Sequence, residues 1–237
     1  MKQIAIVGLG HFGKSILEEL LSLDVDVFII DRNKEAVDAY RDLSPNSVVM
    51  DVLNVENLRK ILPETIDAVI IDMGTEAAIL AASYCAKLNI PAIIVKADSE
   101  TLAEILTLVG ATKVVLPNKE AAKRITPLLF SSTLLNYMPV SGKLSIAELK
   151  IPDFLIGKTL AESKLREKYR LNLVSIRDQN GEYAMCPASY VFNRNDIGLF
   201  SGNDEDLNKF AIVAPKEDRH NRLIEKFMQF IRRKDSR

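Results

Sequence analysis

Three glycines that follow the first apolar run of the chain constrain its fold more than any other feature. Gly8, Gly10 and Gly13 form the pattern GxGxxG, between a β-branched run at residues 4–7 and an amphipathic stretch at residues 11–22. In a strand–turn–helix unit, the first glycine makes the tight turn, the second admits a pyrophosphate, and the third lets the helix pack on the strand. The pattern therefore predicts a dinucleotide-binding unit, in which the helix N-terminus offers free N–H groups to phosphate.

An acidic residue at the end of the second apolar run supports this interpretation. Asp31 follows the run at residues 25–30, and Arg32 comes next. A carboxylate at this position accepts hydrogen bonds from a ribose diol and repels a 2′-phosphate. The sequence therefore favours NAD or another adenine nucleotide over NADP.

The glycine loop also fits a second phosphate-binding pattern. Lys14 and Ser15 complete GxxxxGK[ST], and Asp72 after an apolar run could serve as a Walker B acid. A P-loop uses the lysine on phosphate and the serine on magnesium, whereas the dinucleotide turn places both residues on the first helix. Asp31 has a role only in the dinucleotide geometry, and the bulky Phe12 fits a phosphate-wrapping loop poorly. A P-loop NTPase stays open as the less favoured alternative.

Short apolar runs alternate with helical patterns from residue 3 to about residue 115, which is typical of βα units. Strands are predicted at residues 4–7, 25–30, 47–50, 68–71, 92–95 and 113–116, and helices at residues 11–22, 34–43, 55–62, 75–88, 99–109 and 119–129. The strands lack strict alternation, as expected when both faces of a parallel sheet are covered. The predicted fold is α/β, with a doubly wound Rossmann sheet.

The periodicity changes near residues 137–142, where Pro139 and Gly142 interrupt it. We therefore predict a nucleotide-binding domain with a crossover helix at residues 1–138 and a smaller α+β lobe at residues 139–214. A basic amphipathic tail follows at residues 215–237. Within the lobe, strands are predicted at residues 145–150, 172–177 and 196–201, helices at residues 157–169 and 205–210, and a turn at Asn180-Gly181.

Charge and hydropathy exclude several classes of protein. The 237 residues include 31 Lys+Arg and 32 Asp+Glu, a net charge of -1, which gives no reason to expect nucleic acid. No apolar run is long enough to span a membrane, and the first residues lack a signal-peptide pattern, so we expect a cytoplasmic protein. Cys85 and Cys186 stand far apart without CxxC spacing, and no metal site is predicted.

Residues for catalysis are scarce. A hydride-transferring dehydrogenase needs an acid or base near the nicotinamide. The histidines are His11, in the glycine loop, and His220, and no tyrosine has a lysine four positions later. The sequence therefore predicts no catalytic residue and favours a sensor over an enzyme. An NAD-dependent oxidoreductase is the other alternative.

Several short motifs share one further resemblance. The glycine loop at residues 8–13, Asp31, Met50-Asp51 and the segments 95–97 and 109–112 with Leu116-Pro117 resemble signatures of one nucleotide-binding domain, and Gly157-Lys158-Thr159-Leu160 and Asn195-Asp196 resemble those of its C-terminal lobe. On these motifs, residues 1–214 resemble the RCK, or TrkA-type, regulatory subunits of bacterial potassium uptake systems such as Ktr and Trk.

The resemblance implies a regulatory function. Such subunits form dimers that assemble into a ring, typically an octamer, beneath a separate membrane subunit that carries potassium. They are cytoplasmic and peripheral to the inner face of the cell membrane. Binding and exchange of an adenine nucleotide, ATP/ADP or NAD/NADH, change the shape of the ring and so gate ion flow. A ligand can do this only through its differential affinity for the two shapes.

The resemblance also implies a set of nucleotide-binding residues. Gly8, Gly10 and Gly13 hold the phosphates, with His11 and Phe12 in the same loop; Asp31 binds the ribose beside Arg32; Asp51, Val52, Met73, Gly74 and Thr75 lie on the adenine side; and Lys96 neutralises phosphate charge. His11 and Asn118 replace the arginine and glutamate common in family members that discriminate ATP. The choice between ATP/ADP and NAD/NADH therefore stays open.

A second ligand is implied for the C-terminal lobe, which in some Ktr subunits resembles a dimeric pocket for cyclic di-AMP. Here Arg166 is the candidate phosphate partner, Asn172 the candidate base contact and Pro187 the candidate apolar wall. A solvated helix face is the alternative for Arg166. Apolar residues between residues 125 and 138 exceed what a monomer's linker needs, so we also expect self-association.

Overall fold

The computed structural model describes residues 1–51, 55–177 and 181–212, and the side chains of residues 55–57 and 212 are outside the description. Val52, Asn180 and the predicted tail at residues 215–237 therefore lie outside the described residues. The chain divides into two compact units, Met1–Lys119 and Glu120–Arg237. In the described ranges, no helix combines the length and the apolar character needed to cross a bilayer.

A parallel sheet forms the centre of the first unit. Its strands are β1 (Lys2–Val7), β2 (Val25–Asp31), β3 (Asn46–Val49), β4 (Ala68–Ile71), β5 (Ala92–Lys96) and β6 (Lys113–Val115). Among the described residues their order is β3-β2-β1-β4-β5-β6, and every pairing is parallel. This is the strand order of a dinucleotide-binding Rossmann sheet, so the predicted fold class is confirmed.

Helices cover both faces of this sheet. They are α1 (His11–Leu20), α2 (Lys34–Asp38), α3 (Val55–Ile61), α4 (Thr75–Lys87) and α5 (Glu100–Leu108), and α6 (Pro117–Ile125) follows β6 along the chain. Side chains alternate along each strand, so Val7 packs with the buried alanines of α4 on one face while Ile6 packs with Leu17 of α1 on the other. Burial of both faces explains why the strands read as continuous apolar runs.

The second unit contains an antiparallel sheet. Its strands are β7 (Leu134–Ser141), β8 (Leu144–Lys150), β9 (Asn172–Arg177), β10 (Tyr183–Ala184) and β11 (Ile197–Gly202), in the order β10-β9-β11-β8-β7 within the described residues. Helices α7 (Leu160–Ser163), α8 (Leu165–Tyr169) and α9 (Asp204–Ile212) complete the unit. Its core combines aliphatic side chains with three almost completely buried aromatic ones, Phe192, Phe200 and Phe210.

The domain boundary lies earlier than the sequence predicted. The predicted boundary after residue 138 falls inside β7, where Tyr137 pairs with Ala147 of β8. Register shifts near Asn136 and Pro139 disturb the alternation of β7, so its sequence does not read as a strand. Pro139 and Gly142 therefore mark an irregular hairpin rather than a linker.

Three predicted helices are also shorter than expected. The helix predicted at residues 157–169 is divided into α7 and α8 because Lys164 adopts a left-handed φ of 49°. The one predicted at residues 34–43 ends at Asp38, after the Asn33 side chain has capped its first turn. The one predicted at residues 119–129 becomes a 3-10 turn from Thr126, because Pro127 cannot continue an α-helix.

Candidate functional site

The ends of β1 and β4 form a crevice in the first unit. These neighbouring strands lead into α1 and α4, which pack on opposite faces of the sheet, and ligands of doubly wound folds bind at such a switch point. The N-caps of the two helices, Gly10 and Gly74, provide no side-chain hydrogen bond. The first-turn N–H groups of both helices, other than Gly13 N, which donates to the Asp72 carboxylate, are therefore suited to an anion.

The glycine loop passes very close to the end of β4. Gly8 has a φ of +95°, and a Cβ atom there would lie 2.1 Å from the backbone oxygen of Asp72. A Cβ on Gly10 would lie 2.2 Å from the Asp72 carboxylate, and one on Gly13 would lie 2.3 Å from the Gly8 oxygen. All three glycines are required by packing. The absence of side chains also lets the loop backbone approach a ligand closely.

Asp31 joins the glycine loop to the end of β2. Its Oδ2 accepts a hydrogen bond from Leu9 N at 2.5 Å, and its Oδ1 accepts one from Asn33 N at 2.7 Å. A carboxylate can accept about four hydrogen bonds, so lone pairs stay available for a ribose diol. Asp31 thus both fixes the loop and presents acceptors to the crevice.

A cavity of about 410 Å³ occupies the crevice. Seven residues predicted from the sequence line it: Gly8, Asp31, Arg32, Asp51, Met73, Gly74 and Thr75. Three others, Asp72, Glu76 and Ala77, were not among the predicted nucleotide-binding residues. A position directly after an apolar strand was the available signal for Asp72, as it was for Asp31.

The remaining predicted residues that the structure describes do not line this cavity. Gly10 and Gly13 lie against Asp72 and Gly8, beneath the loop surface. His11 is exposed at the first position of α1, and Phe12 packs against the apolar cluster between α1 and the sheet. Phe12 therefore belongs to the core, because the first helical turn directs its side chain toward the sheet.

The Asp72 carboxylate packs against the glycine loop and accepts one of its backbone hydrogen bonds. Its side chain is only 5% exposed, and its Oδ2 accepts a hydrogen bond from Gly13 N at 2.9 Å. Its Oδ1 lies 3.5 Å from Lys96 Nζ, which also lies 3.1 Å from Asp98 Oδ1. The hydrogen bond to Asp98, together with the charge of Asp72, raises the pKa of Lys96. Lys96 is therefore a partner of two carboxylates, and the phosphate contact that the resemblance implies for it stays a prediction.

The P-loop alternative does not fit this geometry. Ser15 Oγ donates a hydrogen bond to the His11 oxygen at 3.0 Å, within the first turns of α1. Neither Lys14 nor Ser15 lines the cavity. Both residues therefore lie on the helix, as the dinucleotide geometry requires, and not around a phosphate.

A smaller cavity of about 270 Å³ lies in the second unit. Its lining combines the charged side chains of Lys164, Arg166 and Glu167 with four leucines. Asn172 and Pro187, the other candidates for a second ligand, are exposed and do not line it. No cluster of metal-ligating side chains occurs in the part of the chain that the structure describes.

Both units match known protein domains. Residues 4–117 match the TrkA-N domain, and residues 144–211 match the TrkA-C domain. Ktr system potassium uptake protein C of Bacillus subtilis (strain 168) is 30% identical over 212 residues, which cover 88% of this chain and 96% of that protein. The chain belongs to the Ktr family of TrkA-N/TrkA-C proteins. The resemblance drawn from the glycine loop and the later motifs is thereby confirmed.

Solved structures agree with this assignment at the level of fold. The GsuK RCK domain superposes with a TM-score of 0.63 and 19% identity, over 91% of this chain and 48% of that chain. The GsuK channel bound to NAD superposes with a TM-score of 0.62 and 19% identity, over 91% of this chain and 40% of that chain. This Ktr-family chain therefore has the RCK fold and spans less than half the length of those GsuK chains.

Proposed function

We propose that this Ktr-family chain is a nucleotide-binding regulatory subunit of a potassium transport system, and that it acts without breaking a bond. The observation that carries the proposal is the cavity above the glycine loop, in a chain that matches TrkA-N and TrkA-C domains over most of its length. A bound nucleotide would shift the protein between two shapes by binding one of them more tightly. That differential affinity, transmitted to a membrane partner, would gate potassium flow.

An adenine nucleotide is the proposed ligand. Helix N-termini at Gly10 and Gly74 suit its phosphates, and Asp31 suits its ribose. The cavity of about 410 Å³ is of the size that nucleotide-scale ligands occupy. A GsuK channel of the same fold binds NAD, which supports NAD/NADH as the ligand. The two helix N-termini suit the phosphates of ATP/ADP equally well.

Calorimetric titration with ATP, ADP, NAD and NADH tests this proposal. Asp31→Asn removes the charge that the ribose hydroxyls would contact, and we expect it to weaken binding by about tenfold or more. Lys14→Ala, on the outer part of α1, should change affinity by less than about threefold. Absence of binding by all four nucleotides, or loss of binding in Lys14→Ala alone, would contradict the proposal.

The link to potassium needs its own test. Cells that lack their own potassium-uptake regulator should regain growth at low potassium when given this chain with its membrane subunit. Asp31→Asn should reduce that rescue in proportion to its lost affinity. Equal rescue by the wild type and by Asp31→Asn would show that potassium uptake does not depend on nucleotide binding by this chain.

We also propose that the chain assembles as a homodimer and then as an octameric ring, cytoplasmic and peripheral to the membrane through its partner. Exposed apolar side chains between α6 and β8 support self-association: Ile125, Leu129, Leu135, Met138, Val140 and Leu144. Leu129→Lys should reduce the sedimenting mass, whereas Leu23→Lys, an exposed leucine outside this segment, should not. A monomer at micromolar concentration in the wild type would refute the assembly.

Cyclic di-AMP is proposed as a second ligand, in the cavity of about 270 Å³ beside Arg166 and Lys164. Arg166 and Lys164 suit the phosphates of such a ligand and the leucines suit its flat bases, although Lys164 also forms an ion pair with Glu167 of the lining at 3.6 Å. Arg166→Ala should abolish any heat of binding, and Arg194→Ala, an exposed arginine outside the cavity, should preserve it. Equal effects of the two substitutions would argue against this site.

A further inference from the structure

We propose that Asp72 sets the preference of the glycine-loop cavity among adenine nucleotides, by disfavouring those with more phosphate charge. ATP would then bind less tightly, relative to NAD, than the loop alone would allow. The inference rests on the proposed function, in which an adenine nucleotide occupies this cavity. It concerns a residue at the carboxyl end of β4, which contacts the loop and also lines the cavity.

The position of the carboxylate is the first argument. Asp72 Oδ2 accepts the hydrogen bond of Gly13 N at 2.9 Å and lies so near Gly10 that a Cβ there would be 2.2 Å from it. Glycine loops of this type carry a pyrophosphate at the start of the following helix. The Asp72 charge and the phosphates of a ligand would therefore share the N-terminus of α1.

Burial is the second argument. Four acidic residues line the cavity, namely Asp31, Asp51, Asp72 and Glu76, and among them Asp72 is the buried one. Salt and water screen a buried charge much less than an exposed one. Asp72 therefore has the strongest electrostatic effect per charge on whatever occupies the loop.

Incomplete neutralisation is the third argument. Lys96 Nζ lies 3.5 Å from Asp72 Oδ1 but closer, at 3.1 Å, to Asp98 Oδ1. One ammonium thus serves two carboxylates, and the three groups together carry a net negative charge. Phosphates that approach the loop would meet this residual charge, and the repulsion would increase with the charge of the ligand.

Asp72→Asn isolates this charge. The asparagine has the same size, and its carbonyl oxygen can still accept the Gly13 N–H bond. Titrations with ATP, ADP and NAD in EDTA, which keeps the phosphates free of metal, should show gains graded by charge. We expect roughly tenfold tighter binding for ATP, an intermediate gain for ADP, and less than about threefold for NAD, whose nicotinamide ring is a cation.

Two further variants complete the design. Asp67→Asn is the matched control, because Asp67 also accepts a backbone hydrogen bond, from Gln3 N at 2.8 Å, but lies before β4 at the opposite edge of the sheet. It should leave the order of affinities unchanged. Asp72→Ser gives a second neutral side chain if Asp72→Asn does not fold, and it should reproduce the same graded gain.

The outcomes separate the two proposals. A graded gain in the Asp72 variants, without one in Asp67→Asn, supports the inference. Equal factors for the three nucleotides, or no change, while the wild type binds them, overturn the inference and leave the nucleotide site intact. Failure of every protein to bind any nucleotide overturns the proposed function, and the role of Asp72 with it.

Discussion

Substitution of Gly8 by alanine tests how rigidly the glycine loop is held against β4. Two costs add at this position. The φ of +95° disfavours an L side chain, which costs about 1–2 kcal/mol. The new Cβ would also lie 2.1 Å from the Asp72 backbone oxygen, where real Cβ atoms keep at least 3.0 Å. The glycine loop and the end of β4 must therefore separate by about 0.9 Å. Overpacking of this kind costs about 1–3 kcal/mol, and we expect a total loss of roughly 2–5 kcal/mol.

Gly157→Ala is the matched control. Gly157 has a similar φ of +79°, but nothing lies within 4 Å of the Cβ it would gain. It should lose only the backbone cost of about 1–2 kcal/mol. Urea unfolding followed by circular dichroism gives both values, each from the transition of the unit that carries the glycine. If Gly8→Ala destabilises its unit no more than Gly157→Ala does, the contact with β4 is not rigid and the packing argument fails.

Three other predictions concern stability. Burial raises the pKa of the Cys85 thiol to about 12, so the unfolded chain ionises first and stability should fall as pH rises from about 9 toward 12, by up to roughly 1.4 kcal/mol per pH unit. In urea unfolding across this range Cys85→Ala should show a shallower pH slope, and an identical slope would refute the assignment. Thr159→Ala breaks the capping box with Glu162 and should lower the unfolding free energy by about 1 kcal/mol. Because hydrogen bonds from Thr159 lower the pKa of Glu162, this loss should shrink as acid protonates Glu162. A loss that stays constant as the pH is lowered would contradict this. Asn89 has a φ of 57° after α4, so Asn89→Val should lower the unfolding free energy by about 1–2 kcal/mol while Asn89→Gly should not, and equal effects would exclude backbone strain as the cause.

Local patterns in the sequence predicted most of the first unit. The period of apolar residues distinguishes strand from helix within a short window, and the glycine loop needs only its own neighbours to be recognised. Asp31 was predictable for the same reason, since it directly follows an apolar strand. Gly8 and Asp31 line the cavity because the carboxyl ends of parallel strands meet at one edge of the sheet. Asp51, Met73, Gly74 and Thr75, which also line it, were named from the family resemblance and not from local patterns.

The second unit was less predictable because its elements are short and irregular. Register shifts disturb the alternation of β7, and a left-handed Lys164 divides the predicted helix into α7 and α8. Neither feature follows from the local period of apolar residues. The pairing of Tyr137 with Ala147 across the hairpin places residues 134–141 in the second sheet, although their sequence resembles a linker.

What the sequence determined by itself was therefore the fold class and the position of the glycine loop, because both depend on neighbours along the chain. The tertiary structure alone decided the partners of the loop. Asp72 accepts a hydrogen bond from Gly13 N, 59 residues away, and forms an ion pair with Lys96 of β5. Both contacts exist only because β4 lies between β1 and β5. Strand order results from the packing of distant segments, so the buried charge beneath the loop could not be located before the sheet was assembled.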